Sequence, residues 1–232
     1  MTRSAAATEL PPGTWPWLYD FGRRIFPGLL STFVRRRVHH RERVPATGAV
    51  VLVANHSSML DGPLVTAAVC RARRPVFLIK RDMFRGVLGT LLIRVGQVPI
   101  SRGTVDRAPL FTALKVLRGG GMVGVFPEGT RGTGEVTQVY NGAAWLARSG
   151  GAVLLPVACR GTYRPPGARR RWRPRVDVLV GEPLPVPAGR GKADLAAATE
   201  QVRVALATLV TELDRLRTTG AATVEARKVE GT

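Results

Sequence analysis

A chain of 232 residues has room for one large domain or two small ones, and 45% hydrophobic with 22% charged residues excludes a disordered or collagen-like protein. Lys and Arg number 35 against 16 Asp and Glu, and the resulting net charge of +19 at pH 7 calls for a polyanion: nucleic acid, an anionic membrane surface or phosphorylated substrates. Arg-, Ala- and Gly-rich composition also arises from codon bias, so charge alone does not choose. Residues 1–14 are small, polar and punctuated by Pro and Gly. From Trp15 the character changes: Trp15, Trp17, Leu18, Phe21, Ile25, Phe26, Leu29, Leu30 and Phe33 are interleaved with Arg23 and Arg24 and lead into Arg35, Arg36, Arg37, Arg41 and Arg43. Aromatic and aliphatic residues beside a basic cluster form the pattern of a helix lying in an anionic bilayer interface. A helix packed on the core with a solvated arginine face has the same amphipathicity, so both readings stand, with the bilayer preferred. Pro27-Gly28 is expected to break the segment into two short helices.

After Pro45, strand and helix signals alternate. Strands are expected over 49–54, 75–79, 97–101, 122–126, 152–158 and 176–180. Helices are expected over 61–71, 82–94 (apolar Met83, Val87, Leu91 and Leu92), 106–117 (stopped by Gly119-Gly120-Gly121), 142–149 and 194–216. An arginine-rich loop fills 160–175 and a tail without apolar periodicity 218–232. The chain therefore reads as an α/β protein with a mixed, mainly parallel sheet flanked by helices, preceded by an amphipathic N-terminal helical segment. Cys70 and Cys159, both in apolar surroundings, read as buried thiols of a reducing compartment. The three histidines, two of them the adjacent His39 and His40, show no metal-ligand spacing, so no metal site is expected. No apolar run reaches about 18 residues, and the first residues lack the apolar stretch of a secretory signal. The expected location is the cytoplasm or the cytoplasmic face of a membrane, peripheral or monotopic, with no transmembrane helix.

The first candidate site, Asn55-His56-Ser57-Ser58-Met59-Leu60-Asp61, sits at the carboxyl end of the strand over 49–54, where open α/β sheets hold their ligands. Across a strand-to-helix turn, a carboxylate near the helix start can accept Nδ1–H of His56, orienting the imidazole and leaving Nε2 as a base. The plain alternative makes His56 a satisfied turn residue and Asp61 a helix cap. The second segment, Phe126-Pro127-Glu128-Gly129-Thr130-Arg131, again follows an apolar strand. Its Pro and Gly shape a tight turn that exposes amides, while Glu128, Thr130 and Arg131 bring an acceptor, a hydroxyl and a fork of donors. The third, Gly96 to Arg102, sets Arg102 beyond another strand, where a guanidinium can hold phosphate bidentately. Taken singly, a bland turn carries residues like the second set, and a solvated strand end those of the third.

These three segments and Leu155-Pro156-Val157 occur in the order and at about the spacing of the four motif blocks of the glycerolipid acyltransferase family. Over residues 45–185 the chain therefore resembles the 1-acylglycerol-3-phosphate acyltransferases. That resemblance implies transfer of a fatty acyl group from a thioester, acyl-CoA or acyl-ACP (acyl carrier protein), to the free hydroxyl of a lysophospholipid, with no cofactor besides this co-substrate. It makes His56 the general base and Asp61 its partner, and assigns Asn55, Arg102, Glu128, Gly129, Thr130 and Arg131 to binding the glycerol phosphate. Lys80, closing the strand over 75–79, resembles a family lysine near that phosphate. The implied organisation is a membrane-associating segment over 1–44, an acyltransferase domain over 45–217 and a flexible tail over 218–232.

The chemistry agrees. A lysolipid hydroxyl is a poor nucleophile at neutral pH, and a positioned base contributes about 10²- to 10⁴-fold. Donors must also meet the oxyanion formed from the thioester carbonyl, and the turn amides near His56 are candidates. Ser57 and Ser58 are candidate nucleophiles, but a thiolate is a good enough leaving group that direct transfer is expected. An apolar acyl channel would exclude water.

The family commonly carries a basic residue just before the Gly that opens the helix after the third block, whereas this chain reads Val139-Tyr140-Asn141-Gly142. The acceptor is thus either lysophosphatidate or another lysolipid or glycolipid. The loop bearing Arg160, Arg164, Arg169, Arg170, Arg171, Arg173 and Arg175, with Tyr163 and Trp172 among them, is either a collector of anionic head groups or a solvated loop. Expected partners are the lysophospholipid acceptor, the acyl donor and an anionic membrane surface, with no nucleic acid. A non-catalytic basic protein binding nucleic acid or anionic lipid is the reading from another class. It supplies no reason for a base and a carboxylate beside a strand end.

Overall fold

Apolar runs of strand length alternating with amphipathic stretches fold as strands laid side by side with helices on their faces. The computed structural model describes residues 10–101, 107–169, 171–187, 189 and 191–229, with the backbone alone over 220–229. In chain order the elements are α1 (Pro16–Phe33), β1 (Arg35–His39), β2 (Val50–Ala54), α2 (Asp61–Val69), β3 (Pro75–Lys80), α3 (Gly86–Arg94) and β4 (Val98–Ile100). There follow α4 (Ala108–Arg118), β5 (Met122–Val125), α5 (Gly142–Gly150), β6 (Val153–Arg160), β7 (Arg175–Val180) and α6 (Lys192–Val229). The strands form a seven-stranded sheet in the order β1-β7-β6-β2-β5-β3-β4. All junctions are parallel except β6–β7. This is the mixed, mainly parallel α/β architecture that the pattern of runs predicts.

The pleat sorts each strand between two cores. In β2, Val50, Leu52 and Ala54 pack with Leu64, Val65 and Ala68 of α2, while Val51 and Val53 pack with α4 and α5 through Leu114, Leu117, Leu146 and Ala147. Buried on both faces, β2 is continuously apolar, as central parallel strands are. Helix α6 covers β6 and β7, setting Leu206, Leu209, Val210 and Leu213 against Ala158 and Leu179. Cys70 and Cys159 are both buried free thiols.

Four features differ from expectation. Helix α1 runs unbroken through Pro27, which is buried within it. Proline leaves the carbonyl four residues earlier without its amide partner, and that carbonyl, on Arg23, accepts instead from the thiol of Cys70, directly after α2, at 3.6 Å. Next, Arg35–His39 is a strand although Arg35-Arg36-Arg37 shows no strand alternation. Backbone pairing with β7 makes it one, and the buried Asp177 of β7 gathers Arg175, Arg217 of α6 and His39 around it. Third, the stretch expected as a tail continues α6 to Val229, because Ala, Glu, Arg and Lys sustain a helix without an apolar face. Last, α3 is shorter than the expected helix over 82–94, a 3₁₀ turn taking Arg81–Met83. Its Val87, Leu88 and Leu91 face outward.

On β3, Phe77 lies across Gly124 of β5. A Cβ at Gly124 would come within 2.4 Å of that ring. Gly124→Ala is expected to lower stability by roughly 1–3 kcal/mol through overpacking, read as a lower urea midpoint at unchanged slope.

Candidate active site

The two carboxyl-end turns of β2 and β5 meet because these strands are neighbours. Where β2 ends, Asn55 is fully buried. Its Nδ2 donates to the Cys159 carbonyl at 3.0 Å and the Gly134 carbonyl at 3.3 Å, and its Oδ1 accepts from the Cys159 amide at 2.7 Å. Asn55, assigned by resemblance to substrate binding, therefore faces protein and ties the turn to β6. His56 follows, its Nδ1 3.2 Å from Oδ2 of Asp61. A carboxylate only accepts, so Nδ1 carries the proton and the lone pair lies on Nε2. Asp61, in the first turn of α2, is fully buried. Its Oδ2 also accepts from the amides of Ser57 at 2.6 Å and Ser58 at 2.7 Å, and its Oδ1 accepts from the Thr162 hydroxyl at 2.6 Å. Four donors thus converge on a carboxylate without solvent contact, the condition under which a buried charge is tolerated.

The β5 turn is stitched to the β2 turn. Oε1 of Glu128 accepts from the His56 amide at 2.7 Å, and the His56 carbonyl accepts from the Gly132 amide at 2.9 Å. The Phe126 ring stacks on the His56 imidazole at 4.2 Å between centroids, and Phe77 stacks on Phe126 at 5.8 Å. Gly129 has φ of +70°, and a side chain there would meet the Tyr140 ring at 2.7 Å, so both conformation and space favour glycine. Burial pushes the Glu128 carboxyl up to about 7. Nearby Asp61 pushes the same way, and the His56 hydrogen bond opposes both.

Thr130 and Arg131 are exposed beyond this turn. Lys80 is exposed at the end of β3 and ion-paired with Asp82. Arg102 and Arg170 lie outside the described residues. The amides of His56, Ser57 and Ser58, offered by the sequence as oxyanion donors, are already engaged by Glu128 and Asp61. Sequence reasoning missed the Phe126 ring against His56, the hydroxyl of Thr162, and the pairing of Arg160, which it read as part of the arginine-rich loop, with Asp214 of α6. Only strand order could have revealed the last two, since both come from the end of β6. Among the described residues, no three His, Cys, Asp or Glu side chains are grouped to hold a metal ion, and no helix is long and apolar enough to cross a membrane.

A family model described as Acyltransferase matches residues 35–160. A 1-acyl-sn-glycerol-3-phosphate acyltransferase of Bacillus subtilis is 28% identical over 207 residues, 86% of this chain and 100% of that protein. One of Borreliella burgdorferi is 32% identical over 125 residues, 52% of this chain and 49% of that one. The crystal structure of the 1-acyl-sn-glycerophosphate (LPA) acyltransferase PlsC from Thermotoga maritima superposes with a TM-score of 0.62 at 26% identity. The match covers 85% of this chain and 78% of that one.

Glu128 binds its proton more tightly folded than unfolded. Its contribution to stability is therefore greatest below its ordinary value of 4.5 and is lost as pH rises to about 7. Glu128→Gln keeps the acceptor for the His56 amide but does not titrate. Urea titrations between pH 4 and pH 8 are expected to show the variant gaining stability relative to wild type as pH rises.

Proposed function

The chain belongs to the acyltransferase family and is an acyltransferase enzyme, and on that premise we propose that it moves a fatty acyl group from acyl-CoA or acyl-ACP to the free hydroxyl of 1-acyl-glycerol 3-phosphate, giving phosphatidate. The observation that carries the reading is the His56–Asp61 pair: Nδ1 is held by a fully buried carboxylate, and Nε2 is left to act. Nε2 takes the acceptor hydroxyl proton while the oxygen attacks the thioester carbonyl. Collapse of the tetrahedral adduct breaks the C–S bond, and the departing thiolate takes the proton back from the imidazolium. The Phe126 ring on the imidazole keeps water from one face of the base. Arg102, Arg131, Thr130 and Lys80 hold the acceptor phosphate as donors, the last three from exposed positions, while Glu128 and Gly129 shape the turn that carries Arg131. The names of the relatives support a lysophosphatidate acceptor. Asn141, where the family commonly has a basic residue, supports a second reading with another lysolipid acceptor.

We further propose that the enzyme works at an anionic membrane surface. Helix α1 turns Tyr19, Pro27 and Leu30 inward, with Tyr19 Oη donating to the Pro75 carbonyl at 2.9 Å. It leaves Trp17, Phe21, Ile25, Leu29 and Phe33 exposed. The Trp15 amide at its N-terminal end donates to the Arg94 carbonyl at 2.9 Å, which joins this stripe to the outward apolar residues of α3. At its other end, Arg173 donates to the Ser31 carbonyl at 3.1 Å, beside the exposed Trp172. An exposed apolar stripe flanked by arginines suits the head-group boundary of an anionic bilayer.

Purified protein given acyl-CoA and a panel of lysolipids should acylate lysophosphatidate, and His56→Ala should cut the rate by at least about a hundredfold. Survival of transfer in that variant removes the base assignment, and preference for a different lysolipid selects the second reading. For the surface, deletion of residues 1–44 is unsuitable because it removes β1 from the sheet. Phe21→Ser, Ile25→Ser and Leu29→Ser together should abolish flotation with phosphatidylglycerol vesicles while leaving the circular dichroism unchanged.

A further inference from the structure

The two oxygens of Asp61 are held differently. Oδ2 collects three donors from its own turn, the Ser57 and Ser58 amides and His56 Nδ1, whereas Oδ1 receives the hydroxyl of Thr162, 101 residues further along the chain. Donors converging on one oxygen leave the carboxylate free to swing about it; a donor on the second oxygen fixes the carboxylate plane. We propose that Thr162 is a positioning residue for the His56–Asp61 pair, its hydroxyl holding the carboxylate in the orientation that meets His56 Nδ1. This rests on the base assignment made under the proposed function.

The backbone is shaped to deliver this hydroxyl. Gly161, directly after β6, has φ of +94°, and a Cβ there would lie 2.2 Å from the Arg175 carbonyl oxygen, so only glycine allows the sharp turn that brings Thr162 over Asp61. The proton order follows from chemistry. Asp61 accepts, so Thr162 donates to it, and the Thr162 oxygen, 3.0 Å from Ser57 Oγ, is left to accept from Ser57. The single hydroxyl proton of Ser57 therefore points toward Thr162 and not toward His56 Nε2, which fits attack by the lipid hydroxyl and not by Ser57.

The test compares wild type, Thr162→Val and Thr162→Ser with acyl-CoA and lysophosphatidate in detergent micelles, with His56→Ala in parallel. Valine keeps the volume and loses the donor; serine keeps the donor and loses a methyl group. Thr162→Val should lower kcat on the order of tenfold, the effect of removing a hydrogen bond to a charged group, with KM for both substrates within about twofold. Thr162→Ser should restore kcat to within about twofold of wild type. If Thr162→Val is not folded by circular dichroism, Thr162→Ala takes its place. A wild-type kcat in the donor-free variant, or a serine variant as slow as valine, overturns the positioning role while a dead His56→Ala leaves the base assignment standing. Activity surviving in His56→Ala overturns both.

Discussion

A carboxylate with no contact to water, Asp61, is the constraint on which this molecule turns. An isolated charge there would be prohibitively costly, so the fold has to bring donors to it, and it does so from two places. The turn after β2 supplies the Ser57 and Ser58 amides and His56 Nδ1, and the end of β6 supplies Thr162. Asn55, one residue before the histidine, clamps the same two strand ends together through the backbone of Cys159. The histidine is oriented as a by-product of satisfying the acid.

The second turn serves the first. Glu128 binds the His56 amide, Phe126 covers the imidazole, and Phe77 backs Phe126 from β3 across a glycine. The arrangement works because β2 lies between β5 and β6, so residues from three strand ends can reach one point. Within the stitched region Asn55, His56 Nδ1, Asp61 and Glu128 Oε1 are held by protein partners, whereas Lys80, Thr130 and Arg131 are exposed around it. A centre tied by hydrogen bonds with exposed cations at its rim fits the proposed acceptor, whose reacting hydroxyl must be held closely and whose phosphate long side chains would reach.

The +19 charge is shared out in the same way. Some arginines are structural: Arg23 and Arg74 pair with Asp20, tying α1 to the start of β3, and Arg175 and Arg217 neutralise the buried Asp177. Register also relates α1 to the site. Helix α1 leads into Arg35, which is level with Arg175, and Asp177 two residues on is level with Arg160 at the carboxyl end of β6. The C-terminal end of the exposed stripe and the His56 and Glu128 turns therefore share one end of the sheet.

Local pattern alone determined the alternation of strands and helices, the mainly parallel sheet and the placing of the His56 and Glu128 turns at strand ends, because runs such as Val50–Ala54 can only be central strands and their carboxyl ends are where such sheets are open. It misread segments whose state depends on a distant partner. Pro27 looked like a break until the Cys70 thiol took up the freed carbonyl, and Arg35-Arg36-Arg37 read only as the basic cluster of the membrane-associating segment until β7 paired with it. The resemblance set Asn55 against substrate, whereas its amide binds the backbone of Gly134 and Cys159, and Thr162 carried no signal at all. Which oxygen of Asp61 meets which donor is a matter of strand order, and strand order is set by packing over the whole chain, which no local stretch of residues encodes.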